Sequence, residues 1–514
     1  MCKYDKLMAL GVGVVLGTIA CPPGVALPLW QVAEAPPSIL PSQSEPTPTP
    51  TEPAPTEPTP AQTPSTPNLE SSPNPLLFPT VPEEVKLDPT VPLTLQQALE
   101  LARQQNRDLQ EALLSLERSQ AAFQEATAAR YPNLQLRSNL SRSDSASGEL
   151  SNARQRELFG DQAQQDTAST SLDGTVELSY DLYTSGLRPA QISAASSQVR
   201  FDELEVERIA HQLQFDITDA YYNLQQRDEE VRIARSAVQR FEQNLKDAEA
   251  LEKAGVGTKF DVLQARVDLG NAQQDLTQAL SQQLISRRNL TQLLSLPQSA
   301  DIFAADPIVP AGDWALSLEE SIVLAYKNRA ELEQELVQRD IGSQRRRAAQ
   351  AALGPQVSVF ANYNALEVFS DSLNSADGYA LGARLQWNLY DGGAARSRAL
   401  QQEKNMEIAE TRFANLRGRV RFQVEQSYFQ LQSNKTNINT AGVALEEARE
   451  RLRLARLRFQ AGVGTQSEVI DGITALTQAE GNLSRAIIEY NRALASIQRA
   501  VSNLDGSLAD NGFE

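Results

Sequence analysis

The sequence has almost no cysteine or histidine. Of its 514 residues two are cysteines, Cys2 and Cys21, and His211 is the only histidine. A zinc site and a Cys-His pair need more of these side chains, and a Ser-His-Asp triad would have to use His211 alone. Both cysteines lie at the N-terminus, so a form cut after them would carry neither a disulfide nor a thiolate ligand. We therefore expect no enzyme, no catalytic residues, no cofactor and no bound metal.

The chain also lacks an excess of positive charge and any apolar run long enough to span a bilayer as a helix. Its net charge is -18, so we expect no nucleic-acid partner. Lys3 and Lys6 precede the uncharged residues 7–20, and small residues and prolines follow. This order predicts a secretory signal peptide over 1–26, although it does not fix the cleavage site. The residues ending at Cys21 resemble a lipoprotein cleavage box with Thr18 in place of the usual aliphatic residue, so lipidation stays open.

Proline, threonine and serine dominate the segment that follows, residues 27–92. Such a composition cannot bury a core and predicts a disordered linker. The linker is either a simple spacer or a segment that crosses a periplasmic or cell-wall layer. We expect a second flexible segment at the C-terminus, over residues 504–514.

After the linker the sequence repeats itself once. Pro132 corresponds to Pro355, and residues 178–183 correspond to residues 385–390. The offset is smaller for the second correspondence, which predicts a longer loop in the first copy between the proline and the second strand. A duplication of about 200 residues is much longer than a solenoid repeat and predicts a two-lobed fold. The two structural repeats are residues 93–297 and 316–503.

Each repeat contains the same predicted elements in the same order. It opens with a stretch of strong helix formers, at 94–130 and 317–352. A proline ends this stretch, and two alternating runs then predict β-strands joined by a loop rich in Ser, Asp, Asn and Gly. The apolar residues of the four runs are Leu134 and Leu136; Val176, Leu178, Tyr180 and Leu182; Val357, Val359, Ala361 and Tyr363; and Leu381, Ala383, Leu385, Trp387 and Leu389.

A very long helical pattern completes each repeat, at 187–254 and 394–461. At 1.5 Å per residue each helix would be roughly 100 Å long. Apolar residues recur at alternating steps of three and four, as in Leu445, Ala448 and Leu452, which predicts coiled-coil seams. A short glycine-containing turn leads to a returning helix. We therefore expect two antiparallel helical hairpins.

The four predicted strands cannot close a barrel within one chain. Even small membrane barrels take about eight strands, and an open sheet edge is not tolerated in lipid. The subunit is therefore expected to associate. Three copies would supply about twelve strands and twelve long helices.

Together these features resemble the TolC family of outer-membrane efflux proteins. The resemblance covers residues 93–503 and is carried by both strand-loop-strand units, the turns at 180–186 and 390–393, and the hairpin tips. It implies an α+β membrane protein: a trimeric twelve-strand outer-membrane β-barrel, with four strands per protomer, continued by a long α-helical coiled-coil tunnel in the periplasm. The proline-rich stretch departs from the minimal family pattern.

The resemblance also implies a function and partners. The function would be that of an outer-membrane channel in a tripartite efflux or type I secretion system, providing the exit duct across the periplasm and outer membrane. The partners would be two further copies in a homotrimer, a periplasmic adaptor (membrane fusion protein), an inner-membrane RND or ABC transporter, and outer-membrane lipid.

The family closes the periplasmic end of its tunnel with a ring of acidic residues. By resemblance, Glu468 and Asp471 would form this gate, with Asp261 as a first-copy counterpart. Their three-residue spacing places Glu468 and Asp471 on one helix face, so a trimer would present six carboxylates around its axis. Such a ring favours cations and responds to protonation or divalent ions. Alternatively, all three are solvated surface residues.

The hairpin tips align with the turns by which the family contacts its adaptor. A plain helix stop also requires glycine in the left-handed region, so a purely structural role stays open. The tip residues are Gly255, Val256, Gly257, Thr258, Gly462, Val463, Gly464 and Thr465.

Four aromatic residues stand near the predicted strand ends: Tyr180, Tyr183, Trp387 and Tyr390. We interpret them as an aromatic belt at the membrane interface, the alternative being ordinary strand aromatics.

Two other classes of protein compete with a channel. A periplasmic coiled-coil adaptor or scaffold would also contain long hairpins, but it normally has a single hairpin between β-rich halves, whereas this sequence predicts two. A secreted enzyme would need a catalytic set that the sequence does not assemble. The channel interpretation is therefore favoured.

Overall fold

The computed structural model describes residues 76–502, except 77, 79, 88, 160–167, 298 and 370–374. All described residues belong to one compact unit, Thr66–Glu514. The expected signal peptide with Cys2 and Cys21, most of the expected linker and the tail 504–514 lie outside the described residues.

The described residues show the duplication that the sequence predicts. The first copy contains a 3-10 helix Pro82–Val85, β1 Val91–Leu93, α1 Leu95–Gln105, α2 Arg107–Ala128, β2 Asn133–Asp144, α3 Ala146–Phe159, β3 Ala168–Tyr183, α4 Leu187–Lys253, α5 Lys259–Leu293 and β4 Ile302–Ala304. The second copy contains α6 Leu318–Asn328, α7 Ala330–Ala351, β5 Gln356–Val368, β6 Ser375–Gln386, α8 Ala394–Gln460 and α9 Gln466–Val501.

The predicted helical stretches over 94–130 and 317–352 are confirmed, but each is divided into two helices by one residue with an extended backbone. In the first copy the break is Asn106, whose backbone is extended. Its Oδ1 accepts a hydrogen bond from the amide of Leu109 at 3.0 Å, and its Nδ2 donates to the carbonyl of Leu293 at 3.0 Å. Arg329 holds the corresponding position in the second copy and is also extended. Composition hides these breaks, because the first depends on a partner 187 residues away.

The long helices confirm the sequence prediction to within one residue at each end. Helices α4 and α8 contain 67 residues each, which corresponds to roughly 100 Å. Each follows a glycine in the left-handed region, with φ of 89° at Gly186 and 91° at Gly393. Within the described part of the chain, no helix combines the length and apolar composition needed to cross a membrane.

Buried apolar residues hold the second hairpin together. Four of the predicted heptad residues of α8 are buried against four residues of α9. The α8 residues are Leu445, Ala448, Leu452 and Ala455, and the α9 residues are Val469, Ile473, Leu476 and Ala479. Gly472 allows close approach, since a Cβ there would lie 3.2 Å from the Cα of Leu452. The coiled-coil seam predicted from the three-four spacing is thus confirmed.

A buried ion cluster joins the C-terminal end of α9 to the start of α7. Glu331 accepts hydrogen bonds from Arg499 at 2.6 Å and from Arg329 at 3.0 Å. The three side chains are only 7% to 14% exposed. Arg499 also donates to Gln212 of α4 at 3.3 Å. The cluster therefore links three helices of the wall.

The N-terminal segment is structured earlier in the chain than the sequence predicts. Strand β1 pairs in parallel with β4, so the assigned linker 27–92 extends too far. Asp301 supports this small sheet by accepting a hydrogen bond from Thr90 at 2.8 Å and ion pairs from Arg287 and Arg288 at 3.0 and 2.5 Å. The pairing partner lies more than 200 residues away, which a local composition argument does not detect.

The extra length of the first copy lies between β2 and β3, as predicted. The element there is not a plain loop, however, because α3 occupies Ala146–Phe159. The corresponding connection between β5 and β6 is only a few residues long.

Candidate functional site

The four longer strands form one antiparallel sheet in the order β2-β3-β5-β6. Its register aligns residues of like polarity across all four strands. One row contains Leu136, Val176, Tyr363 and Tyr379, and these side chains are 38% to 80% exposed. The adjacent row, on the opposite face, contains Gln135, Glu177, Asn362 and Ala380. The sheet therefore has one exposed apolar face and one largely polar face.

The sheet has two free edges within the protomer. Strand β2 pairs only with β3, and β6 pairs only with β5, among the strands of the described chain. An open edge exposes unpaired backbone donors and acceptors. Closure therefore requires further strands from outside the protomer.

The four predicted belt aromatics cluster at one end of the sheet. Tyr180 and Tyr183 lie at the end of β3, whereas β6 ends at Gln386, so Trp387 and Tyr390 lie just beyond it. This corrects the predicted strand, which extended to residue 389. The indole of Trp387 donates a hydrogen bond to the carbonyl of Leu353 at 3.1 Å, which fixes the ring beside the end of α7.

Two other exposed tyrosines were not predicted, one at the base of the sheet and one further along it. Tyr131, between α2 and β2, is 71% exposed, and Tyr379 on β6 is 80% exposed. Tyr379 shares the apolar face with Leu381 and Leu385. The period-two pattern of β6 contained the signal for Tyr379, but the prediction began that run at Leu381.

The hairpin tips have the same backbone in both copies. Gly255 and Gly462 lie in the left-handed region, with φ of 77° and 70°. In each tip the next two amides return to one carbonyl in the last turn of the long helix, Leu251 or Arg458, at 3.0–3.1 Å. Such glycine turns satisfy the carbonyls that end a helix. The duplication therefore preserves the tip geometry.

The second glycine of each tip is needed for space. A Cβ at Gly257 would lie 3.0 Å from the backbone nitrogen of Glu252, and one at Gly464 would lie 3.0 Å from that of Phe459. Thr258 and Thr465 then cap the returning helices through their hydroxyl groups. Val256 and Val463 project from the tips with 76% and 71% exposure.

We expect Gly464→Ala to loosen the second tip, because the new methyl group would press on backbone that cannot move freely. The control is Gly481→Ala in the returning helix α9, where nothing lies within 4 Å of the added Cβ. Limited proteolysis should show cleavage at the tip several times faster for Gly464→Ala and no faster for Gly481→Ala. Equal protection of the two variants would contradict this packing argument.

The predicted gate carboxylates lie at the start of the returning helices. Glu468 is the third residue of α9, and its amide donates to the hydroxyl of Thr465 at 3.3 Å. Asp471 is exposed one turn later. The side chain of Gln466 donates to the backbone carbonyl of Asp261 at 3.2 Å, so the structure brings together the two helix starts that carry the predicted carboxylates.

The carboxylates differ in their partners. Asp261 accepts hydrogen bonds from the amide and hydroxyl of Thr258, at 3.0 and 2.6 Å, and so serves as a helix cap. Glu468 instead faces Arg458 across the tip, with Nη2 and Oε1 3.7 Å apart. Sequence analysis missed Arg458 as a basic partner. The signal was a basic residue four positions before the tip glycine Gly462, where the first copy has a leucine.

The family model for outer membrane efflux proteins matches residues 98–295 and 321–506. The chain belongs to this family. Among curated proteins it resembles the pyoverdine export outer membrane protein OpmQ of Pseudomonas putida, with 23% identity over 411 residues, covering 79% of this chain and 85% of OpmQ.

Solved structures share the fold of this efflux protein. The outer membrane protein VceC from Vibrio cholerae superposes with a TM-score of 0.67 at 19% identity, covering 79% of this chain and 95% of VceC. The open-state MtrE channel of Neisseria gonorrhoeae gives a TM-score of 0.65 at 17% identity, with 79% and 88% coverage. The expected fold class is thereby confirmed, since this chain shares the fold of outer-membrane channels with a barrel and a helical tunnel.

The family match settles the general function. The protein is the outer-membrane channel of a tripartite efflux system, located in the outer membrane and extending into the periplasm. The resemblance to the TolC family and the internal duplication are confirmed, since the two matched segments fall in the two copies. The family is one of efflux channels rather than of enzymes.

Proposed function

We propose that this channel is a homotrimeric exit duct in which the first copy of one protomer packs against the second copy of the next. Its hairpin tips then form the gate and contact a periplasmic adaptor, which couples the duct to an inner-membrane RND or ABC transporter. The observation that carries the assembly is a pair of unpartnered apolar stripes on α5 and α8.

The first stripe lies on α5. Within the first hairpin α5 buries Val262 and Ala265 against α4. Phe260, Leu263 and Val267 are 51% to 72% exposed, and at 100° per residue they point away from the buried pair. The apolar face is therefore free for a further helix.

The second stripe lies on α8. Leu454 and Leu457 are 47% and 51% exposed, on the side of α8 opposite to Leu452 and Ala455, which pack against α9. Val443, three turns earlier on the same face, is 61% exposed, with Glu447 and Glu450 between it and Leu454. Apolar surface of this extent on the flank of a coiled coil is characteristic of another helix interface.

The two stripes and the two sheet edges support the same assembly. The free edge of the first copy is β2 and its free helix is α5, whereas the second copy leaves β6 and α8 free. Placing the first copy of one protomer beside the second copy of its neighbour covers both the strand edges and the helix stripes. Repeating this contact three times closes a ring, as heterologous interfaces do when the rotation closes.

We expect Leu457→Asp to prevent stable assembly, because three aspartates per trimer would be buried in apolar seams without partners. Arg456→Asp, one residue away and off the stripe, is the control. Size-exclusion chromatography with light scattering in mild detergent should give a trimer for the wild type and the control, and mostly monomer for Leu457→Asp. A trimer of normal heat resistance in Leu457→Asp would contradict the proposed seam.

The exposed apolar residues at the tips support adaptor contact. Val256 and Val463 belong to the predicted tip set and are 76% and 71% exposed. Within the protomer these side chains cover no core, and exposed apolar groups on a turn are suited to docking another protein. The remaining tip residues, Gly255, Gly257, Thr258, Gly462, Gly464 and Thr465, set the shape of the contact surface.

The gate and the aromatic belt complete the proposal. Glu468 and Asp471 of three protomers would surround the axis at the tips, with Asp261 nearby as a cap. Tyr180, Tyr183, Trp387 and Tyr390 would mark the periplasmic membrane interface, since they lie where the apolar sheet face gives way to the helices. Outer-membrane lipid would then cover the apolar face, and the acidic chain would take no nucleic-acid partner.

A further inference from the structure

Four long helices end or begin at the base of the barrel sheet. Helices α2 and α7 end there, each five positions before β2 or β5, while α4 begins four positions after β3 and α8 eight positions after β6. Because the helices extend into the periplasm, this base lies at the inner leaflet of the outer membrane. Any charge concentrated here faces lipid headgroups or the opening of the duct.

The base is rich in arginine although the chain as a whole has a net charge of -18. Six arginines lie within three turns of a helix end at the sheet or directly after one. We call this set the basic belt: Arg130, Arg188, Arg345, Arg347, Arg396 and Arg398. All but Arg188, which is partly buried, are exposed. Arg346 is left out because it pairs with Glu403 at 3.5 Å.

Few carboxylates oppose the belt. Apart from Glu403, which pairs with Arg346, the acidic residues nearest the sheet base are Asp181 at the end of β3, Asp391 before α8 and Glu125 in the last turn of α2. Asp391 is occupied, because it accepts hydrogen bonds from the amides of Gly393 and Ala395 at 2.9 and 2.6 Å. The base therefore carries an excess of positive charge.

The belt includes a residue on the lipid side of the sheet. The guanidinium of Arg188 stacks over the ring of Tyr180, 5.6 Å from its centroid. Tyr180 alternates along β3 with Leu178 and Val176 and so shares their exposed apolar face. Arg384, by contrast, stacks over Phe360 on the polar face, 5.2 Å from the ring centroid. Arginine is thus placed on the outer side of the wall beside an interfacial aromatic.

We propose that the basic belt binds the anionic phosphate groups of inner-leaflet phospholipids, such as phosphatidylglycerol. Guanidinium groups form paired, charge-assisted hydrogen bonds to phosphate. Arginines next to a bilayer surface attract anionic lipid. The stacking of Arg188 on Tyr180 orders one guanidinium at the depth of the headgroups. In a trimer the belt would supply three equivalent sites, each fixing the lipid annulus at the joint between barrel and tunnel.

The test uses the purified full-length trimer, delipidated in mild detergent, with short-chain phosphatidylglycerol or phosphatidylcholine added. Native mass spectrometry should show bound phosphatidylglycerol in preference to phosphatidylcholine, and phosphatidylglycerol should raise the temperature of trimer dissociation. Arg396→Gln with Arg398→Gln should weaken phosphatidylglycerol binding on the order of tenfold. Binding should also weaken as the salt concentration rises from about 0.1 to about 0.5 M, because the Debye length then falls from about 10 Å to about 4 Å.

The matched control is Arg449→Gln with Arg453→Gln, two exposed arginines of the same helix that pair with Glu446 and Glu450 far from the sheet. It should bind phosphatidylglycerol as the wild type does. Inorganic phosphate at the same concentration distinguishes a lipid site from a free-phosphate site. Three results would each overturn the proposal. The protein could retain phosphatidylcholine as well as phosphatidylglycerol, the belt variant could bind phosphatidylglycerol as tightly as the wild type, or inorganic phosphate could stabilise the trimer as much as phosphatidylglycerol does. Trimer size and single-channel current, measured on the same samples, report the channel assembly separately.

Discussion

Single-channel conductance should rise several-fold when Glu468 and Asp471 are both replaced by alanine, and block by divalent cations should weaken. In the proposed trimer the two residues contribute six carboxylates to the narrowest part of the duct. Such a ring retains cations and can be bridged by divalent ions, which narrows the path. Removing the carboxylates removes both effects. The measurement is current through the purified protein in a planar bilayer, with and without millimolar divalent cation.

Two mechanisms for the proposed gate can be tested separately. Glu468 lies 3.7 Å from Arg458 of the same hairpin, whereas Asp471 is exposed one turn further along. If Glu468 acts by tying α9 to α8, then Arg458→Ala should reproduce the conductance gain of Glu468→Ala with little change in divalent block. If the carboxylates act as an ion-binding ring, Asp471→Asn should weaken divalent block while Arg458→Ala should not.

Glu446→Gln with Glu447→Gln is the matched control for this experiment. Both residues are exposed on α8, about 20 Å from the tip along the helix. Currents should be unchanged in this control. Wild-type currents and block in the Glu468 and Asp471 double variant would remove the gate assignment and leave the channel function intact.

The sequence predicted the long helices because their signals are local. The bounds of α4 and α8 follow from glycines at both ends, and the three-four spacing of Leu445, Ala448 and Leu452 specifies the seam without knowledge of any partner. The strands were likewise visible from period two. Elements governed by such short-range patterns can be placed before the fold is known.

The features that sequence analysis missed depend on distant residues. The break at Asn106 requires the carbonyl of Leu293, and β1 exists only because β4 pairs with it. Arg458 became a candidate gate residue only when the tip geometry placed it against Glu468. Conversely, Asp261 looks like a gate acid in sequence, but its carboxylate is engaged by Thr258.

Replacement of Glu331 by glutamine should strongly destabilise the protein at neutral pH. The side chain is 14% exposed and lies between the guanidinium groups of Arg329 and Arg499, which are 7% and 10% exposed. Burial raises the pKa of Glu331, but the two arginines lower it by more, from 4.5 to about 2. A shift of this size corresponds to about 3 kcal/mol. Loss of the charge would also leave two buried guanidinium groups without their carboxylate.

The sign of the pKa shift fixes the pH range in which this stabilisation is lost. Because the folded-state pKa is below the unfolded-state value, the stabilisation is fully present above about pH 4.5 and disappears as the pH falls towards about 2. The melting temperature of the wild-type trimer should therefore drop across this range. The melting temperature of Glu331→Gln should already be lower than that of the wild type at pH 7. It should then fall less as the pH decreases, so that the melting temperatures of the two proteins converge near pH 2.

Glu450→Gln is the appropriate control, since Glu450 forms an exposed pair with Arg453 in which both side chains are more than half exposed. Solvent screens such exposed pairs, so the melting temperature of Glu450→Gln should equal that of the wild type at every pH. Identical melting of Glu331→Gln and the wild type at pH 7 would show that the cluster adds no net stability. If the melting temperature of Glu331→Gln stayed below that of the wild type by the same amount at every pH, the substitution would act through packing rather than through charge. Convergence under acid would identify Glu331 as the charge that holds α9 to the start of α7.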